Sequence, residues 1–195
     1  MTMNKLPDEL KDIISLYVGF VPKNKKELEE AVELYITNKE EAIKLYGNMS
    51  KWDTVLITDM SELFYQNYKF NENINNWNVS NVTDMSDMFN NTPFNQDISN
   101  WDVSKVTSME NTFFAATSFN QPLNDWNMSS VTNMSGMFNN SPFNQDISDW
   151  DVSNVSNMQN MFLAATSFNQ HLNDWNVSSV TNMSGMFNNS PFNQS

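Results

Sequence analysis

The side chains that could do chemistry in this chain are few, and they recur at fixed spacing. Carboxylates flank several of the tryptophans, among them Asp125, Asp149, Asp151 and Asp174. Carboxylate oxygens suit a hard cation such as calcium. Asparagine or serine fills most equivalent positions in the other repeats, and no glycine-aspartate calcium loop occurs. We therefore predict no metal site and no cofactor.

Groups for nucleophilic or acid–base catalysis are also scarce. The chain has no cysteine and a single histidine, His171, which occupies the position that Pro122 holds in the neighbouring repeat. The serines have no base at a matching spacing. Catalysis needs groups of different type to converge at one place, whereas a repeat presents the same groups in each copy. The sequence therefore predicts a protein that is not an enzyme.

The repeat is the dominant feature of the chain. Residues 94–142 and 143–191 are copies of 49 residues that differ at nine positions. Tryptophans divide the copies into units of alternately 25 and 24 residues, at Trp52, Trp77, Trp101, Trp126, Trp150 and Trp175. Units this short bury their apolar side chains against their neighbours. We therefore predict a stacked array with the tryptophans in its core.

The spacing within one unit predicts a strand followed by a helix. Its apolar positions are Ile98, Trp101, Val103, Val106, Met109 and Phe113. The tryptophan and the first valine alternate with period two, and the last three positions follow the stripe of a two-turn helix. Thr107 and Glu110, like Ser156 and Gln159, have the spacing of a capping box. These patterns predict an α/β repeat.

The unit resembles a known repeat family. Trp101-Asp-Val-Ser-Lys-Val-Thr and Trp150-Asp-Val-Ser-Asn-Val-Ser, with the Met-Phe and Phe-Asn-Gln-Asp-Ile segments, look like the repeat of the BspA-like leucine-rich-repeat surface proteins. That repeat was first noticed in mycoplasma lipoproteins of unknown function, and the likeness covers about residues 48–195. It implies a right-handed leucine-rich-repeat-like solenoid of about six units, with parallel strands and often a role in cell-surface adhesion.

The N-terminal sequence differs from that expected of a surface protein. It has neither an apolar segment of signal-peptide length nor a lipobox cysteine, and no run of 18 apolar residues occurs. From the sequence we therefore expect a cytoplasmic protein without membrane insertion.

Residues 1–47 are predicted to form a helical N-terminal cap on the solenoid of residues 48–195. One helix begins near Pro7, a second near Lys25, and a third runs from about Lys39 to Tyr46 and ends at Gly47. On the second helix, one side is expected to carry Leu28, Val32 and Ile36.

The first of these helices has an alternative reading. LPDELKDIISLYVGF, residues 6–20, resembles the opening helix of an F-box, which docks substrate receptors onto the Skp1 adaptor of ubiquitin ligases. The adaptor contacts would be Leu6, Pro7, Leu10, Ile13 and Ile14. The Lys/Glu-rich sequence that follows departs from an F-box. Plain capping and adaptor binding both stay open.

Polar residues beside the tryptophans form the candidate binding face. They are Asn76, Asn78, Ser80, Asn100, Asp102, Ser104, Asp125, Asn127, Ser129, Asp149, Asp151, Ser153, Asp174, Asn176 and Ser178. The face contains no aromatic or arginine anchor, so we expect weak or avidity-driven contacts. The predicted function is a non-enzymatic protein–protein interaction module.

Charge narrows the class of partner. The net charge is −13, the chain has no arginine, and residues 52–195 hold Lys69 and Lys105 against fourteen acidic residues. Such an array has no basic patch that could bind a phosphate backbone, so we do not expect the protein to bind nucleic acid. An acidic surface favours basic protein partners.

Two further predictions concern the stacking of the units. A buried column of asparagines is expected to satisfy backbone groups of the turns: Asn95, Asn120, Asn144, Asn169 and Asn193. The last unit, with Trp175 and Val177, is expected to present an unpaired edge strand. Open edges recruit partners, so end-to-end self-association, as an assembly or adhesion element, is a third candidate function.

Overall fold

Two α-helices precede the repeats. The computed structural model describes residues 19–194. Helix α1 spans Lys25–Thr37, helix α2 spans Lys39–Tyr46, and a 3-10 turn follows at Met49–Lys51. The second and third predicted helices are thereby confirmed, whereas the helix predicted near Pro7 lies outside the described residues.

Local signals in the sequence set the ends of both helices. The side chain of Asn24 accepts a hydrogen bond from the N–H of Glu27 at the start of α1, and Asn38 does the same for Glu41 at the start of α2. Gly47 ends α2 with a φ of 71°, a value that favours glycine. The buried face of α1 consists of Leu28, Ala31, Val32 and Tyr35. Ile36, expected on this face, is 42% exposed.

The predicted α/β class is wrong for the repeats. Within residues 52–194 the structure has no α-helix and no β-strand. The successive repeats are joined by isolated parallel bridges, which link Asp59, Asp84, Ser108, Asn133, Asn157 and Asn182 in that order. The leucine-rich-repeat-like solenoid of parallel strands and two-turn helices is therefore not formed. The repeats form what we call the turn stack, in which each tryptophan begins one layer.

Turns on both sides of the tryptophan prevent the predicted strand. The N–H of Trp101 donates to the carbonyl of Ile98, and the N–H of Val106 donates to that of Val103. Each bond closes a tight turn of four residues. Only Asp102 lies between these turns, which leaves no room for an extended strand.

Hydrogen bonds to the next layer replace the predicted helix. In a helix, the N–H of Phe113 would donate to the carbonyl of Met109. It donates instead to Met137 of the following layer, at 3.0 Å. Asn111 has a φ of 51°, in the left-handed region that a right-handed helix excludes.

The backbone donors of this segment alternate between two kinds of acceptor. Thr112 and Phe114 donate to carbonyls three residues earlier, within their own layer. The N–H groups of Met109, Asn111, Phe113 and Ala115 donate to carbonyls of the next layer. Alternate N–H groups thus close turns and join the layers. The N–H of Glu110 donates to the Ser108 hydroxyl at 3.5 Å, so every N–H from Met109 to Ala115 has an acceptor.

The predicted capping boxes are wrong for the same reason. The hydroxyl of Thr107 donates to the carbonyl of Thr83, and that of Ser156 donates to Thr132, each at 3.1 Å. Both acceptors belong to the preceding layer. These side chains therefore join layers and cap no helix.

Aromatic rings fill the core of the turn stack. One column of phenylalanines has ring centroids 5.5–5.7 Å apart and consists of Phe64, Phe89, Phe113, Phe138, Phe162 and Phe187. A second column, from Phe70 to Phe192, pairs with it at 3.7–4.1 Å within each layer. All the tryptophans are buried as well, which confirms that they belong to the core.

An asparagine and a glycine alternate along one column in the four layers from Asn111 to Gly185. Gly136 has a φ of 62°, and a Cβ atom at this position would collide with Oδ1 of Asn111 in the layer before. Gly185 and Asn160 repeat the arrangement. In these layers the asparagine side chain therefore occupies the space that a Cβ atom of the next layer would need.

Polar contacts fix the helices on the first layer. Nζ of Lys25 lies 2.9 Å from Oδ1 of Asp59 and donates to the hydroxyl of Ser61. Phe20 packs against Tyr46 and Trp52, and its carbonyl accepts the N–H of Asp53. The start of the turn stack is thereby covered by the residues that precede it. No helix within residues 19–194 is long and apolar enough to cross a membrane.

Candidate interaction face

The residue after each tryptophan of the candidate face is held by a local turn. Oδ1 of Asp102 accepts the N–H of Ser104 at 3.1 Å, and Asp151 accepts that of Ser153 at 3.0 Å. Asparagine makes the same turn in other layers, at Asn78, Asn127 and Asn176, with distances of 3.1–3.2 Å. The turn needs only a side-chain oxygen two residues before the N–H, so Asp and Asn are interchangeable there.

The turn favours the ionised form of these carboxylates. Hydrogen bonds from the side chain and backbone of Ser104 lower the pKa of Asp102, and those of Ser153 do the same for Asp151. The pKa of Asp97 is lowered mainly by the backbone N–H of Ser99. A hydrogen bond to the charged form favours that form. The face therefore carries fixed negative charge at neutral pH.

The predicted face residues all lie at the surface and in register. Asn100, Asp125, Asp149 and Asp174, which precede the tryptophans, are exposed, as are the Asp and Asn residues that follow them. The serines are half-buried except Ser178, which is exposed. Stacking of the layers sets these residues in parallel columns on either side of the buried tryptophans. Lys105 lies one residue after Ser104 of the face, and its Nζ donates to Oδ1 of Asn81 at 2.7 Å.

The asparagine column forms hydrogen bonds as predicted but lies at the surface. Starting from Asn71, the Oδ1 of each member accepts the backbone N–H of the next, at 2.9–3.0 Å. The side chains are half-buried or exposed, so the expected burial is wrong. Each bond joins two layers, and the column is therefore part of the stacking.

No cluster of side chains that could hold a metal ion is brought together in the described part of the chain. Within residues 19–194, no three carboxylates and imidazoles are close enough to hold a metal ion. His171 is exposed and lies near Asp146, whose pKa is lowered mainly by the N–H of Ser148. The predicted adaptor contacts Leu6, Pro7, Leu10, Ile13 and Ile14 all lie outside the described residues.

The last layer presents donors without backbone partners. The N–H groups of Met183, Gly185, Phe187 and Asn189 donate to no carbonyl within residues 19–194. Trp175 is buried, whereas Val177 is 40% exposed. These two residues form no edge strand, because residues 52–194 have no strand. The open edge consists of turn N–H groups, and self-association through it stays a prediction.

Sequence reasoning missed a second group of residues, at the junction of the helices and the first layer. Tyr35 and Lys39 of the helical segment and Lys69 and Glu72 of the first layer line one cleft there. Lys69 is one of only two lysines after residue 51. A lysine among so many acidic residues was the feature of the sequence that could have pointed to this cleft.

The stacked layers and their shared polar face define a tandem-repeat protein built from turns. Two overlapping segments, residues 34–142 and 123–195, match the family described as Mycoplasma protein of unknown function, DUF285. Together they cover most of the chain, so the protein belongs to this family. The match confirms the resemblance to mycoplasma-type BspA-like repeats. No curated protein and no solved structure matches significantly.

Proposed function

We propose that the protein is a non-enzymatic interaction module whose acidic face binds basic regions of partner proteins. One observation carries the proposal: Asp102 and Asp151 are exposed carboxylates held in fixed turns by hydrogen bonds from Ser104 and Ser153. Asp125, Asp149 and Asp174 add exposed carboxylates in the neighbouring column. Regularly spaced charge of one sign attracts a partner of the opposite sign.

The composition of the face sets the strength of binding. It contains no tryptophan, tyrosine or arginine at the surface, and those residues dominate strong interfaces. Affinity would then come from several weak contacts along the columns, which act together when the partner is also repetitive. Exposed charges are screened beyond about 8–10 Å at physiological salt, so binding should weaken as salt rises.

Substitutions already present in the repeats allow a clean test. A variant with Asp102, Asp125, Asp149, Asp151 and Asp174 all changed to Asn keeps every turn, because asparagine occupies both columns in other layers. A matched control changes Glu29, Glu30, Glu33, Glu40 and Glu41 to Gln and removes the same charge from the helices. Partners would be captured from a cell extract with each protein and identified by mass spectrometry.

We expect the native protein and the helix control to capture the same basic proteins and the face variant to lose them. Loss of the same proteins from both variants would show that only net charge matters. Equal capture by all three proteins would contradict the proposal.

A ubiquitin-ligase substrate receptor remains the alternative, supported by the F-box-like segment that begins at Leu6 and Pro7. It requires the cytoplasmic location expected from the sequence. Copurification with a Skp1-type adaptor tests it directly, with and without Leu6→Ala plus Leu10→Ala. Adaptor binding that disappears in the double variant would favour the alternative, and absence of the adaptor from both preparations would contradict it.

A further inference from the structure

A cleft lies where the two helices meet the first layer, away from the acidic face. Its volume is about 180 Å³, and Tyr35, Ile36, Lys39, Lys69 and Glu72 are among the residues that line it. The volume suits one small side chain rather than a cofactor. The first layer contributes a lysine here, although the later layers have only Lys105.

One wall of the cleft contains a buried hydroxyl group that lacks a partner. Tyr35 is only 3% exposed, and its ring packs edge-on against Trp52 with centroids 5.8 Å apart. Its hydroxyl makes no hydrogen bond of good geometry within residues 19–194, although it lies close enough to the Lys39 ammonium to help raise the pKa of Lys39. Buried polar groups are nearly always satisfied, so this hydroxyl requires an acceptor.

The charges of the cleft do not balance. Nζ of Lys39 lies 2.6 Å from Oε1 of Glu72, and this hydrogen bond raises the pKa of Lys39. The same ammonium lies 5.0 Å from the centre of the Tyr35 ring. Lys69 has no ion-pair partner in the described part of the chain. One positive charge therefore remains, and a single anionic group would neutralise it.

We propose that this cleft binds one carboxylate, carried by an acidic side chain of a partner protein. The Lys69 ammonium pairs with the carboxylate, and the Tyr35 hydroxyl donates a hydrogen bond to it once the Lys39 side chain moves aside. A carboxylate fits better than a phosphate, because a dianion would leave excess negative charge beside Glu72.

Exposed apolar side chains in the cleft and close to it along the chain favour a peptide over a free acid. Ile36 lines the cleft and is largely exposed. Tyr68, which directly precedes Lys69, is 69% exposed, and Tyr65 lies one turn earlier in the same layer. These are the exposed aromatic residues within residues 19–194. Exposed tyrosines are frequent anchors of protein interfaces, so apolar residues beside the acidic one would contact them.

Capped peptides test the proposal on the full-length protein. The probes are acetyl-Leu-Glu-Leu-amide, its Leu-Gln-Leu counterpart and acetate, each titrated while amide shifts of the isotope-labelled protein are recorded by NMR. We expect saturable shifts around Lys39, Lys69 and Glu72 with the glutamate peptide only. Lys69→Gln should weaken this binding about tenfold, since a hydrogen bond to a charged group is lost.

Two further variants separate the cleft from general effects. Tyr35→Phe keeps the ring, so we expect an unchanged melting temperature together with weaker binding of the glutamate peptide. Lys105→Gln removes the other lysine of the turn stack and should leave binding unchanged. Equal binding of the glutamine peptide, or of the glutamate peptide to Lys69→Gln, would overturn the proposal. Equal binding of acetate would overturn the assignment to a peptide.

Discussion

The helical segment and the turn stack satisfy their backbone groups in opposite ways. In α1 and α2 the hydrogen bonds stay within each helix, and local caps at Asn24, Asn38 and Gly47 mark the ends. In the turn stack, Phe113 and its equivalents donate to the next layer. A helix can thus form from its own residues, whereas a layer is complete only beside its neighbours.

This difference decides which changes each region tolerates. A side chain on the outer face of α1 contacts little, so its replacement changes little. A residue of the turn stack lies between two layers, and its side chain meets the equivalent residue on either side. Changes in the stack should therefore propagate to neighbouring layers, and the following substitutions test that expectation.

The largest effect is expected from Phe138→Ala. This ring is fully buried and stacks on Phe113, Phe143 and Phe162. Truncation of a buried phenylalanine costs about 3–5 kcal/mol, and here it opens a gap in one column and removes the ring that Phe143 of the other column packs against. Urea unfolding would measure the loss. Phe114→Leu is the control, because the equivalent Leu163 already occurs in the chain; similar losses in both variants would contradict the packing described.

Gly136→Ala is expected to have the next largest effect. The glycine has a positive φ, and the new Cβ would collide with the Asn111 amide. We expect a loss of about 1–3 kcal/mol in the free energy of unfolding. The double variant Asn111→Gly plus Gly136→Ala removes the collision and should be more stable than the single variant. If the second substitution gave no recovery, the collision with Asn111 would not be the cause of the loss.

Lys25→Gln should have a smaller effect, because it weakens only the contact between the regions. Burial raises the pKa of Asp59, but hydrogen bonds from Lys25 and Ser61 outweigh it and lower the pKa overall. Partly exposed ion pairs contribute about 0–1 kcal/mol. Thermal melts at low and high salt would show a small loss that salt reduces. Lys26→Gln, whose side chain is 84% exposed, should show none.

The smallest effect at neutral pH is expected from Asp102→Asn combined with Asp151→Asn. Their folded pKa values are lowered, so these carboxylates stabilise the protein above about pH 3.9, the usual value for aspartate. That stabilisation disappears as the pH falls through the folded pKa. Urea unfolding between pH 2 and 7 should show a shallower acid decline in the variant. Asn127→Asp plus Asn176→Asp should steepen it, and identical profiles would contradict the role of the turns.

The sequence predicted the parts of the fold that depend on neighbours along the chain. Caps and apolar spacing correctly gave α1 and α2, and the tryptophan interval correctly gave stacking with a buried aromatic core. The secondary structure of each layer was wrong, since the spacing of Val106, Met109 and Phe113 fits consecutive turns as well as a helix. The N–H of Phe113 could donate to the carbonyl of Met109 in its own layer or to that of Met137 in the next. The spacing of apolar residues within one layer cannot distinguish these two acceptors.

The candidate sites show the same division. Alternation around the tryptophans correctly placed Asp102 and Asp151 at the surface. The turns that hold them follow from the Asp-x-Ser spacing and could have been read from it. The cleft at Tyr35 and Lys69 joins residues more than thirty positions apart across the two regions, so it required the structure.

Scalar couplings across hydrogen bonds would test the central claim most directly. In a triply labelled sample, the amide nitrogen of Phe113 should couple to the carbonyl carbon of Met137, and that of Phe138 to Met161, because their N–H groups donate to these carbonyls at 3.0 and 2.9 Å. A coupling from Phe113 to the carbonyl of Met109 would instead show a helix within the layer. That result would contradict the turn stack.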